Sequence, residues 1–177
     1  MDAAADWMSR RPETLDPSAP HAPRDERGTA SQPTEIERLL LATDLSPASA
    51  QAAEEAIQLA VETGAQLLVL SVIDPRRLRL PGGVFLRRVD QERSRIEVGV
   101  QRIVDNARRA GARATFLVWE GEPAEAILAA SEAENVDVIV MGSHGRGLLG
   151  RLVLGSTSTR VSEMATCHVV VVDAQMH

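Results

Sequence analysis

Four apolar runs in this chain show no polar–apolar alternation: Leu39-Leu40-Leu41-Ala42, Leu67-Leu68-Val69-Leu70, Val138-Ile139-Val140-Met141 and Val169-Val170-Val171-Val172. A strand with one face in water alternates, whereas a strand that reads apolar throughout is buried on both faces. Between these runs the apolar residues return at helical spacing, as in Ala53, Ala56, Ile57, Ala60 and Val61. Strands alternating with helices, and mostly lacking a polar face, imply an α/β fold: a parallel sheet with helices on both faces. In such a sheet ligands sit beyond the carboxyl ends of the strands, where strand order reverses.

The first run stops at Thr43-Asp44-Leu45-Ser46-Pro47, which reads as a helix start with Ser46 as N-cap and Pro47 in the first turn. Gly64 is the expected stop of that helix. Strands are expected at Gln66–Val72, Ala114–Trp119, Val136–Met141 and Val169–Val172. A second helix carries Ile96, Val100, Ile103, Val104 and Ala107 on one face and ends near Gly111. A third follows the turn Gly121-Glu122-Pro123, and a fourth runs from about Ser156 to Ala165. From Ile73 to about Val89 no element is assigned; Arg76, Arg77, Arg79, Arg87 and Arg88 crowd this stretch with Pro75, Pro81, Gly82 and Gly83. Residues 1–34 hold five of the nine prolines and show no period, so they read as a disordered extension, with Trp7 its one aromatic residue. The folded domain is expected over 35–174, followed by a tail at 175–177.

Every one of the 19 residues counted as Lys plus Arg is an arginine. Without lysine there is no P-loop of the Walker type, which needs that amine on the β/γ-phosphates, and no Schiff-base chemistry. A net charge of -6 argues against binding nucleic acid through its phosphates, and an aromatic content of 2% leaves little for base stacking. No apolar run approaches the ~20 residues of a membrane span, and no apolar signal core opens the chain, so no membrane partner and a cytoplasmic location are expected. The single cysteine, Cys167, excludes an intrachain disulfide and a cysteine-cluster zinc site, and reads as a core thiol.

The chemistry is concentrated after the fourth strand. Val138-Ile-Val-Met-Gly142 runs into a loop holding Gly145, Gly147 and Gly150, which closes on Gly155-Ser156-Thr157-Ser158 at the start of a helix. Glycine lets a ligand approach the main chain, and a helix start offers unpaired N–H groups at the positive end of its dipole. Strand, glycine loop and a helix opening on hydroxyls make a cradle for phosphate. Gly145-Arg-Gly-Leu-Leu-Gly150 also spells GxGxxG, but a dinucleotide fingerprint belongs between the first strand and first helix, where this chain has no glycine.

With these residues in place, the sequence resembles the universal stress protein family in its ATP-binding branch. The nucleotide motif of that family, Gly-x2-Gly-x9-Gly-Ser/Thr, is matched by Gly142, Gly145 and Gly155-Ser156. Leu41-Ala42-Thr43-Asp44, Gly121-Glu122-Pro123 and Asp137-Val-Ile-Val-Met-Gly142 extend the match over about 36–174, with the N-terminal tail and the arginine-rich stretch outside it. The resemblance implies an adenine nucleotide alpha hydrolase-like sheet of order 3-2-1-4-5. It places ATP in the crevice between strands one and four. Ala42 and Thr43 would line the floor, with Asp44 near the ribose or the metal. Val72 would meet the adenine through its backbone, and Met141 and Gly142 the sugar. Gly145, Gly155, Ser156 and Thr157 would hold the phosphates, with Ser143, His144 and Arg146 in the same loop. Mg2+ or Mn2+ would be held mainly by the phosphates, with Asp44 the candidate protein ligand. A homodimer through Val169, Val170, Val171 and Val172 is implied as well, since an uncovered apolar edge invites aggregation. Two departures stand out: Ala42 and His168 occupy positions where relatives carry proline.

Several residues carry two readings. His144 invites a catalytic role, yet no serine–histidine–acid arrangement is legible, and a solvent-facing loop histidine explains it equally well. Arg146 and Arg151 would either clamp phosphate or be solvated. The arginines of 76–88 would fold over the nucleotide, recruit an acidic partner, or form a solvated loop. The expected function is an ATP-dependent stress or signalling module with little or no turnover, since no general base is evident. The alternatives are a slow ATP hydrolase or nucleotidyl transferase, and a structural dimer that has lost its nucleotide.

Overall fold

A computed structural model describes residues 35–78, 85–143 and 155–173. Five strands, β1 (Arg38–Ala42), β2 (Gln66–Ile73), β3 (Arg113–Glu120), β4 (Val138–Gly142) and β5 (His168–Val172), form one sheet of order β3-β2-β1-β4-β5. Every pairing is parallel, with Leu39 opposite both Leu67 and Val138. Helices α1 (Pro47–Thr63), α2 (Phe85–Arg109), α3 (Pro123–Ala133) and α4 (Ser156–Met164) connect and cover them. The fold class and strand order are those the sequence implied.

Successive strand residues face opposite layers. Leu39 and Leu41, with Leu67, Val69, Val138 and Val140, join Ala52, Ala56 and Ala60 of α1 and Ile96, Val100 and Val104 of α2 in one core. Leu40, Leu68, Leu70, Ile139 and Met141 join Ala124, Ile127 and Ala130 of α3 and Val161 of α4 in the other. Leu39, Leu40 and Leu41 are fully buried, so β1 belongs to both cores. β5 is an edge: Val169 and Val171 pack in the second core, Val172 against the first, and Val170 is 42% exposed.

The helix ends follow from local chemistry. Ser46 accepts from the Ser49 amide at 3.3 Å, Pro47 opens α1, and Gly64 ends it at φ 71, a left-handed conformation that glycine adopts without strain. Glu122 caps α3 by accepting from the Glu125 amide at 2.9 Å. The unassigned stretch after β2 contains a 3-10 turn at Pro75–Leu78, and α2 begins at Phe85, ahead of its regular apolar face. At the amino ends of the strands, Asp137 acts as a clamp. Its Oδ2 accepts from the amides of Glu37 and Arg38, both at 3.0 Å. The Asp137 amide donates to the Arg38 carbonyl, and its own carbonyl accepts from the His168 amide. Among the described residues no helix is long and apolar enough to cross a membrane.

Candidate functional site

Strand order reverses between β1 and β4, which leave their neighbours on opposite sides. Ala42 pairs with Met141, so the segments that follow, Thr43-Asp44 and Gly142-Ser143, leave the sheet side by side. The start of α4 joins them, because the Gly155 amide donates to the Ser143 carbonyl at 2.8 Å. Ala42, Thr43, Asp44, Met141, Gly142, Ser143, Gly155, Ser156 and Thr157 therefore gather at one end of the sheet. Val72 lies at the end of β2, two residues past Leu70, the partner of Ala42, and is half-buried. His144, Gly145 and Arg146 lie outside the described residues, as do Arg151 and the rest of the glycine loop.

The turn after β1 is built from hydroxyls and one carboxylate. Thr43 is buried; its amide donates to the Leu70 carbonyl and its Oγ1 meets Ser49 Oγ at 3.0 Å. The same Oγ1 accepts from the Leu45 amide at 3.1 Å, and Asp44 Oδ1 accepts from the Ser46 amide at 3.0 Å. Leu45 is held between them at φ 60, a left-handed conformation uncommon outside glycine and asparagine.

The turn after β4 is anchored on Ser143. Its amide donates to the Val172 carbonyl at 2.9 Å, while its carbonyl accepts from the Gly155 amide and from Ser158 Oγ at 3.1 Å. Ser158 Oγ also lies 2.9 Å from the Gly155 carbonyl. The resemblance sets Gly155 among the residues that hold the phosphates; its own N–H is engaged within the protein. Gly155 is the N-cap of α4, at φ -63 and ψ 155, with no side chain capping the helix. The helical ladder opens with the Thr159 amide on the Gly155 carbonyl, so the amides of Ser156, Thr157 and Ser158 precede it. These are the groups that an anion can meet.

Charge beside the site is compensated within the protein. Arg160 of α4 donates to Glu122 Oε2 at 3.1 Å and to Glu125 Oε1 at 2.9 Å. Arg76 binds the Asp74 carboxylate through its amide, Nε and Nη2, and that hydrogen bonding, followed by the charge of Asp74, raises the guanidinium pKa. Among the described residues no group of three or more His, Cys, Asp or Glu side chains is placed to hold a metal ion. Sequence reasoning assigned no role to Ser158 or to Leu45. The hydroxyl run Ser156-Thr157-Ser158 carried a signal for the first; nothing marks a leucine for a left-handed turn.

A family model described as Universal stress protein family matches residues 35–173, running through the arginine-rich stretch that the motifs had left outside. Universal stress protein YxiE of Bacillus subtilis is 33% identical over 144 residues, covering 76% of this chain and 97% of the relative. The solved structure of universal stress protein UspA from Lactobacillus plantarum superposes with a TM-score of 0.72 at 25% identity, covering 78% of this chain and 98% of that one. Two more distant structures share the fold and were solved with nucleotides. One universal stress protein in complex with cAMP has a TM-score of 0.62 at 23% identity, covering 80% of this chain and 100% of that one. Another, from Archaeoglobus fulgidus in complex with dAMP, has a TM-score of 0.59 at 19% identity, covering 77% of this chain and 98% of that one.

Proposed function

The chain belongs to the universal stress protein family, and from that premise we propose that it binds ATP in the crevice between β1 and β4. The observation that carries the reading is the start of α4, which has no side-chain cap and lies against the end of β4. Its amides and the positive end of its dipole favour a phosphate, and Asp44 stands across the crevice for the ribose. Mg2+ or Mn2+ rides on the phosphate oxygens, with Asp44 the protein group nearest in kind. That structures of the same fold were solved with cAMP and dAMP supports an adenine nucleotide as the ligand. ATP occupancy serves a stress or signalling role, with little or no turnover, in a cytoplasmic homodimer joined along β5, where Val170 is exposed.

The test removes one amide and keeps the helix. Proline is well suited to the first helical position, and Gly155 already has the extended conformation that precedes proline. Ser156→Pro should fold normally yet bind ATP with Mg2+ roughly 10- to 100-fold more weakly by calorimetry, the value of one charge-assisted hydrogen bond. Ser156→Ala, which keeps the amide, controls for the hydroxyl. Equal affinity in the proline variant and the unmodified chain rejects the site.

A further inference from the structure

Glycine inside a helix is unfavourable, and α2 has one near its middle, Gly99. It lies on the face that carries Ile96 and Ile103, turned toward the first core. A Cβ built there would fall 3.2 Å from Leu45 Cδ2, 3.3 Å from Leu45 Cγ, and nearer still to Leu45 Cδ1. The whole end of the leucine side chain fills the space that a side chain at 99 would take. Leu45 is one of two non-glycine residues with positive φ among the described residues, and it directly follows Asp44.

We infer that Gly99 is a positioning residue for Asp44, acting through Leu45, whose side chain pins the left-handed turn after β1 into the notch on α2. This inference rests on the nucleotide reading for its functional half. The pin itself does not. Thr43 Oγ1 and Asp44 Oδ1 hold the amides on either side of the turn, but hydrogen bonds to a short polar side chain do not dictate a left-handed leucine. The half-buried isobutyl group, packed against the first core, supplies the missing constraint. With it seated, Asp44 keeps one orientation at the mouth of the crevice; without it, the turn relaxes toward ordinary φ and the carboxylate moves.

Gly99→Ala tests this, since alanine should otherwise favour the helix. The readouts are ATP affinity by calorimetry and amide exchange at Leu45 and Ser46. The variant should weaken ATP binding about tenfold, as a displaced binding group does, and speed exchange at those two amides while leaving β2 and β3 protected. Adding Leu45→Gly should lower affinity no further than Gly99→Ala alone, because the isobutyl group that holds the turn is already unseated there. In an Asp44→Ala background Gly99→Ala should cost nothing further, which a general structural defect would not predict. Unchanged exchange in Gly99→Ala overturns the pin. A loss of affinity that adds in full to that of Asp44→Ala overturns its action through Asp44. If the unmodified chain binds no ATP, the nucleotide reading fails by itself, and exchange at Leu45 and Ser46 still judges the pin.

Discussion

Removing the Asp137 carboxylate isolates what holds the amino ends of the strands together. One oxygen, Oδ2, takes two amides, those of Glu37 and Arg38, each at 3.0 Å. A hydrogen bond to a charged partner contributes about 1.5–3 kcal/mol. Glu37 is exposed and water can replace its bond; the Arg38 amide is partly buried, so its loss counts more. Asp137→Ala should therefore cost about 2–3 kcal/mol. Asp137→Asn keeps one oxygen able to accept both amides but loses the charge and the other carboxylate oxygen, so about 1 kcal/mol is expected. For a domain of this size each kcal/mol lowers Tm by roughly 4 °C. Urea unfolding followed by circular dichroism should show the midpoint falling in the order native, Asn, Ala, with an unchanged slope. The clamp lies at the opposite end of β4 from the site, about 17 Å away for a five-residue strand. ATP affinity below the transition should then be the same in all three proteins. Equal stability of the Asn and Ala variants would refute the role of the shared acceptor oxygen, and a parallel loss of affinity would refute the separation of the two ends.

Two further variants probe the site itself. Ser158→Ala removes a hydroxyl shared between the Ser143 and Gly155 carbonyls, each of which keeps an amide donor, so neither is orphaned. A loss of about 1 kcal/mol in urea unfolding is expected, with weaker ATP binding as the start of α4 loosens; an unchanged midpoint would show that the hydroxyl carries no weight. Arg160→Ala breaks a pair whose arginine side chain is 42% exposed, so at most about 1 kcal/mol should be lost, shrinking further in high salt. A loss above about 2 kcal/mol would mean that Arg160 is held by more than these two carboxylates.

How much could be read in advance depended on where each instruction was written. β1 and β4 announce themselves because burial on both faces demands apolar residues at every position, and Leu39 to Leu41 comply. The α1 boundaries were legible for the same kind of reason: Ser46, Pro47 and Gly64 are each chosen by backbone chemistry local to them. The start of α2 was not, because Phe85–Val89 follows Pro81, Gly82 and Gly83 and mixes two arginines with three apolar residues, and the apolar face becomes regular only near Ile96. β3 gained Arg113 and Glu120, charged residues at the ends of an edge strand that water tolerates. Thr43, Asp44, Ser143 and Ser156, named through the family resemblance, are brought together at one end of the sheet. The engagement of the Gly155 amide was not legible, since it depends on where the carbonyl of Ser143, twelve positions earlier, points. Nor was the seat of Leu45, which is set by a residue more than fifty positions away on another helix.

Ser143 bonds in two directions at once, backward to the last residue of the edge strand and forward to the first turn of the final helix. A rotation of that one residue shifts both partners together. One backbone unit therefore ties the end of β4 to both the rim of the sheet and the last helix.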